Sequence, residues 1–245
     1  MAMDRSKTRG VVPSLSTAEE KQQILTRSPL GTLSGDSREA LLELGTLEKL
    51  PRRHSLLKEG EPARSVAVIG SGRVGLERLR EGRTFSLGHR GPGETVGETA
   101  VVGSSIASED ATVLDEADAL LLPIAGLRKL ITSDPAVRAA MAAVLVERHR
   151  VAEERLESLL LHGVESRLID FLIAARVRWG VPHPGGGQLI RAPFTHADIA
   201  HLIGSTRETV TLLLGKLKRE GMIEFEKRRI ILRDRAALEQ RVAAQ

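Results

Sequence analysis

Arg207 and Glu208 stand side by side near the C-terminal end of this 245-residue chain. An arginine guanidinium donates to both O6 and N7 of guanine, and a glutamate accepts from the N4 amine of cytosine. Adjacent Arg and Glu side chains can therefore read two neighbouring base edges, each good contact supplying about 1–3 kcal/mol of discrimination. A bare Arg-Glu pair is more often a solvated first turn of a helix, so the surroundings decide. Thr195 suits an N-cap, and Asp198 follows three residues on, as in a shortened capping box. Ile199, Ala200, Leu202 and Ile203 then give an apolar stripe. Gly204 ends that helix, because glycine enters a left-handed turn without steric cost. Ser205 or Thr206 caps a second helix, in which Val210, Leu213, Leu214 and Leu217 recur at helical spacing and turn inward. Thr206, Arg207, Glu208, Thr209 and Thr211 are left near the N-terminal end of the exposed face. In a helix-turn-helix that end enters the DNA major groove.

The run Asp198–Val210 (DIAHLIGSTRETV), continued by Leu214, Leu217 and the segment KREGMI, resembles the helix-turn-helix of the CRP/FNR family of bacterial regulators. That family's pattern has a further Arg two residues after R-E-T-V's valine, where this chain has Leu212. A third base-reading cation is absent, so the preferred half-site is expected to differ. The resemblance implies a homodimer on double-stranded DNA, with RNA polymerase as a further partner.

Charge supports a phosphate-binding C-terminal part. Residues 190–235 hold ten Lys/Arg and six Asp/Glu, so this segment carries the whole +4 net charge of the chain. A basic domain on a neutral body is the electrostatic footprint of a backbone binder. Cysteine is absent, which excludes disulfides, thiolate chemistry and cysteine-held iron–sulfur clusters. With no Tyr and one Trp, stacking platforms for single-stranded nucleic acid are not expected. No apolar run reaches transmembrane length and no secretory pattern opens the chain, so a cytoplasmic location without membrane contact is expected.

Taken in order, residues 1–20 are polar and aperiodic and read as a disordered arm. Residues 21–45 show two short helical patterns, with Asp36 as an N-cap before Ala40, Leu41, Leu42 and Leu44. From 50 to 122, glycines arrive every few residues between runs such as Val66–Ile69, Val74–Leu79, Phe85–His89 and Ala111–Leu114. Many short strands with turn signals predict a small antiparallel barrel or jelly roll. The segment LLKEGEPARSVAVIGSGRV resembles the opening of the cyclic-nucleotide-binding β-roll of the same family. Residues 123–133 predict a short helix. Asp134 caps the next one, with Pro135 at its first position, where a missing N–H costs nothing. Val137, Met141, Val144, Leu145, Val151, Ala152, Leu156, Leu159 and Leu160 carry that helix to about 161, with Arg148 and Arg155 interrupting the seam. A helix of roughly 27 residues spans about 40 Å and needs a partner; the resemblance implies that two such helices pair as a dimer. Gly163 is a hinge candidate, Val164–Trp179 a further amphipathic helix, and residues 180–187 a loop. Leu189–Arg191 and residues 222–232 predict strands, which makes the DNA domain winged. Lys227, Arg228 and Arg229 at the wing tip, Thr195 and His196 at the start of the first motif helix, and Ser205 and Lys216 are candidate backbone contacts that position without specifying sequence.

In the resembled sensors a Gly-Glu pair binds the ribose hydroxyls and an Arg-Ser pair about ten residues on holds the cyclic phosphate. Gly97 and Glu98 preserve the first pair, whereas the second falls at Glu109 and Asp110. A carboxylate repels the phosphate that an arginine would clamp. The dimer helix of those sensors offers hydroxyls to the purine, and the matching place here is Ala152–Glu153. These departures agree in sign, so cAMP is not expected as an effector and no cofactor is implied. His54 and His89 are lone histidines, and no H-x-H or H-E-x-x-H cluster accompanies them as a metal or haem site would need.

The expectation is an α+β chain: a jelly-roll-like antiparallel β-roll over 21–133, a dimerisation helix over 134–161 and a winged helix-turn-helix domain over 164–245. Its function is sequence-specific regulation of transcription on palindromic sites, without enzymatic activity. The alternative is a small-ligand-responsive sensor module whose helix-turn-helix contacts protein; Glu109 counts against a cyclic nucleotide as that ligand.

Overall fold

A computed structural model describes residues 16–103 and 105–243 of the chain. Two short helices, α1 (Thr17–Thr26) and α2 (Gly35–Leu44), lead into eight strands. These are β1 (Thr46–Leu50), β2 (Ser55–Leu57), β3 (Ser65–Ile69), β4 (Arg73–Arg80), β5 (Arg83–Arg90), β6 (Thr95–Val96), β7 (Asp110–Asp115) and β8 (Ala117–Pro123). Helices α3 (Ile124–Ser133), α4 (Pro135–Leu161) and α5 (Val164–Trp179) follow, then β9 (Gly180–Pro182) and β10 (Gln188–Ile190). The chain continues through α6 (His196–Ile203), α7 (Arg207–Arg219), β11 (Ile223–Glu226), β12 (Arg229–Leu232) and α8 (Arg235–Ala243).

The first eight strands form two antiparallel four-stranded sheets, in the orders β1-β8-β3-β6 and β2-β7-β4-β5. This is the expected α+β chain with an N-terminal β-roll. The two-residue period of a strand divides β8 between two cores. Ala119 faces the space between the sheets with Ile69, Val74, Leu76, Ala111 and Val113. Leu120 and Leu122 face the helices, packing with Leu25, Leu41, Leu127, Val137 and Met141. At the tip of the β4–β5 hairpin both Glu81 (φ 50°) and Gly82 (φ 72°) are left-handed, the paired conformation a two-residue hairpin turn of matching twist requires.

Several expectations need correction. The arm assigned to residues 1–20 falls mostly outside the described residues, but its last part is ordered into α1. Ser16 accepts from the Glu19 amide while Glu19 accepts from the Ser16 amide, a capping box that short polar residues supply without any apolar period. Ser34, not Asp36, is the residue before α2; Asp36 lies in its first turn. The 180–187 loop contains β9, which pairs with β10, and the strands β1, β2, β6 and β8 together with α8 were not singled out by pattern.

Helix α4 is as long as its caps predict, 27 residues, with Asp134 accepting from the amides of Ala136 and Val137. Its faces differ. Val137, Met141 and Val144 are buried against the roll, and Arg148 and Arg155 continue that inner stripe rather than interrupting the outer one. The outer face leaves Val146, Leu156, Leu159, Leu160 and Leu161 exposed. No helix among the described residues is long and apolar enough to cross a membrane.

Candidate nucleic-acid interface and sensor pocket

The C-terminal sheet, in the order β11-β12-β10-β9, backs helices α5 to α8. Leu168, Ile169, Leu172, Ile199, Val210, Leu214, Leu217, Ile230 and Leu238 fill one core among them. Helix α6 begins at a full capping box: Thr195 Oγ1 accepts from the Asp198 amide at 3.1 Å, and Asp198 accepts from the Thr195 amide at 2.8 Å. Gly204 closes it in the left-handed region (φ 63°, ψ 53°). A side chain there would also meet Leu159 at the end of α4, at 2.8 Å. Of the two cap candidates for α7, Thr206 is the one used, accepting from the Thr209 amide.

The turn is held from behind by a residue that sequence reasoning passed over. Arg167 on α5 donates to the carbonyls of Ile203 (2.8 Å), Gly204 (3.3 Å) and His162 (2.7 Å). One guanidinium thus ties the helix-turn-helix to the hinge between α4 and α5. Its five fixed donors suit three carbonyls as no other side chain could. An isolated Arg on an amphipathic helix carries no sequence signal of that role.

On α7 the residues Arg207, Glu208, Thr211 and Leu212 are exposed together, while Val210, Leu214 and Leu217 are buried. Neither Arg207 nor Glu208 makes an ion pair among the described residues, so both side chains remain available to a ligand. Thr209 is half-buried and its hydroxyl bonds that of Thr206. Thr211 is tied to the Arg207 carbonyl and to the His196 ring, which aligns the start of α6 with the exposed face of α7. Ser205 is half-buried in the turn. Lys216 points elsewhere: its ammonium pairs with Glu165 on α5 at 2.9 Å, because a lysine nine residues along α7 has rotated onto the core side. On the wing, Lys227, Arg228 and Arg229 are all exposed, with Lys227 left-handed at φ 57° between β11 and β12.

The roll holds a different kind of site. Gly97 is left-handed (φ 87°) and starts a short 3-10 turn that buries Glu98 completely. Glu109, in the bend just before β7, is 2% exposed. Between them lies Arg148 of α4, its guanidinium 2.7 Å from Glu98 and 2.6 Å from Glu109. The Glu109 contact is an aligned hydrogen bond; the Glu98 contact is a close ion pair without that alignment. Arg78 stands 3.8 Å from Glu109 on its other side. Asp110 accepts from the Glu59 amide and serves the β-roll backbone. Glu153 does not join this group. It is two residues past Val151 on the outer face of α4, where it pairs with His149 in solvent.

The two halves of the chain meet at Phe194. Its ring stacks on His89 (centroids 5.7 Å apart), takes the edges of Phe171 and Trp179, and has the Arg73 guanidinium 4.3 Å above it. His89 is thereby a packing residue with its Nδ1 enclosed and unpaired. Burial first, then the Arg73 charge, lowers its pKa to about 4, so the ring is neutral at pH 7. His54 is exposed.

Comparison with known proteins agrees with this division. The family of cyclic nucleotide-binding domains matches residues 47–134. The family of Crp-like helix-turn-helix domains matches residues 166–241. The regulatory protein CysR of Synechococcus elongatus is 32% identical over 191 residues, covering 75% of this chain and 85% of its own. A CRP-like cAMP-activated global transcriptional regulator of Mycobacterium tuberculosis is 29% identical over 192 residues, covering 78% and 85%. The solved structure of FixK2 from Bradyrhizobium japonicum superposes with a TM-score of 0.70 at 25% identity, covering 80% of this chain and 96% of that one.

Proposed function

Because this chain belongs to the CRP/FNR family of transcriptional regulators and is a DNA-binding regulator of that kind, we propose that it works as a homodimer on palindromic duplex sites, independently of cAMP. The observation that carries the proposal is the presentation of Arg207 and Glu208, unpaired and exposed, at the N-terminal end of a capped second helix. Arg207 reads guanine, Glu208 reads cytosine, and Leu212, 73% exposed one turn beyond Glu208, offers an apolar contact to a thymine methyl. Thr195, His196, Lys227, Arg228 and Arg229 supply backbone contacts; Lys216 is left out of this set because its ammonium pairs with Glu165. Such a protein works in the cytoplasm with RNA polymerase as its further partner, and it regulates rather than catalyses.

The outer face of α4 supports the dimer. Leu145, His149, Ala152, Leu156 and Leu159 recur at alternating steps of four and three residues, the spacing of a coiled-coil seam. Leu156→Glu is expected to turn a dimer into monomers in sedimentation equilibrium and to remove palindrome binding with it. A wild-type chain that sediments as a monomer would sink the reading.

Independence from cAMP rests on Arg148. The M. tuberculosis relative is named for activation by cAMP. In this chain the phosphate-clamping position holds Glu109, and the guanidinium bonded to it, that of Arg148, is already shared with Glu98, with Arg78 3.8 Å away on the other side. Site selection from random duplex DNA, followed by calorimetric titration with cAMP and cyclic di-GMP, tests the proposal. Saturable micromolar heat with cAMP would refute that part of it.

A further inference from the structure

A cavity of about 480 Å³ opens where α1, the loop between β5 and β6, α4 and α5 come together. Glu109 and Asp110 do not line it, so it is not the nucleotide-like pocket, although Arg148 and Glu98 form part of its wall. Its size lies in the range of about 300–1,000 Å³ that holds small organic ligands.

The charges on its wall are unevenly matched. Each of its carboxylates already has a partner: Glu98 has Arg148 at 2.7 Å, Glu94 has Arg178 at 3.2 Å and the Gly91 amide at 2.8 Å, and Glu147 has Arg150 at 2.6 Å. Two of its guanidiniums are matched more weakly or not at all. Arg90, with a side chain only 13% exposed, comes no closer than 3.9 Å to Glu94 and otherwise donates to the carbonyl of His89. Arg27 makes no side-chain hydrogen bond or ion pair among the described residues. Burial, and then the neighbouring Arg148 charge, disfavour the Arg90 cation. A largely buried cation on the wall of a cavity that also holds an unpaired cation is stabilised by an anion bound in that cavity.

We propose that this junction is a binding site for a compact dianion, a phosphate monoester or a short dicarboxylate, gripped by Arg27 and Arg90. A guanidinium fork suits an oxyanion edge in shape as well as charge, and two of them suit a dianion in charge. The walls belong to the roll (Arg90), the N-terminal helices (Arg27), α4 (Arg148) and the DNA-binding half (Arg178). The site lies beside the Arg178–Glu94 pair, so an anion held by Arg27 and Arg90 sits where the sensor meets the DNA domain. Binding itself does not depend on the proposed operator; its effect on operator affinity does.

The test is calorimetric titration of the full chain, at fixed ionic strength, with glycerol phosphate, inorganic phosphate and malonate. One saturable site per chain is expected, weakened about tenfold or more by Arg27→Ala and by Arg90→Gln and unchanged in Arg228→Ala. Tighter glycerol phosphate identifies the phosphate class, and tighter malonate the dicarboxylates. Circular dichroism checks that Arg90→Gln is folded; Arg27 is exposed, so Arg27→Ala decides alone if it is not. No saturation at millimolar concentrations of any probe, or wild-type binding by Arg27→Ala, overturns the proposal.

Discussion

Arg207→Ala is expected to leave the protein folded and able to bind DNA, but unable to choose its operator. The side chain is exposed and makes no ion pair among the described residues, so stability should move by less than about 0.5 kcal/mol. Selectivity should fall by about 1–3 kcal/mol per half-site, roughly 5- to 150-fold, and the loss is taken twice in a homodimer. Arg228→Ala is the matched control. It lies on the wing, where a lost phosphate contact weakens all duplexes alike and lowers the salt slope by about one per chain. Gel shifts on the selected operator and on scrambled duplex, at several salt concentrations, separate the two outcomes. If Arg207→Ala discriminates as well as the wild type, α7 does not read bases through this residue.

The second large effect is expected inside the roll. Arg148→Ala leaves Glu98 and Glu109, 0% and 2% exposed, without the cation between them. Removing one partner of a buried ion pair costs about 3–5 kcal/mol, because the remaining charges stay out of water. For a chain of this size that corresponds to a fall in Tm of about 6–20 °C. The combination Arg148→Met, Glu98→Gln and Glu109→Gln removes the charges together and should recover most of the loss. Thermal unfolding of the wild type, Arg148→Ala and the combined variant measures both numbers. An Arg148→Ala melting point within a degree or two of wild type would mean that water reaches the pair and screens it.

The DNA-reading half was the more legible part of the sequence. Thr195, Asp198, Gly204 and Thr206 act locally, through caps and a left-handed turn, and local rules are what a sequence displays. Inward leucines on α7 and the cap of α4 were legible for the same reason. The Lys216 pairing was not legible, because its partner Glu165 is 51 residues away in the chain. Arg148 was misread, as a flaw in a seam, because nothing near it in sequence announces two carboxylates from two separate turns of the roll. The strands β1, β2, β6 and β8 escaped because short or evenly apolar strands lack a clear two-residue alternation. The junction cavity escaped altogether; its arginines come from four separated segments.

Phe194 follows the hinge in chain order, yet much of what surrounds its ring comes from before it. Arg73 and His89 cover it from the roll, and the neighbouring Pro193 carbonyl accepts from Arg73. Trp179 in turn donates to the Gly72 carbonyl. A cut after Gly163 would therefore not yield two self-sufficient pieces. The downstream fragment would carry wetted phenyl and indole rings, and the upstream one an Arg73 that keeps Asp115 but loses the Phe194 ring and the Pro193 carbonyl. Truncation experiments on this chain will report the cost of that exposed seam alongside whatever the isolated halves do.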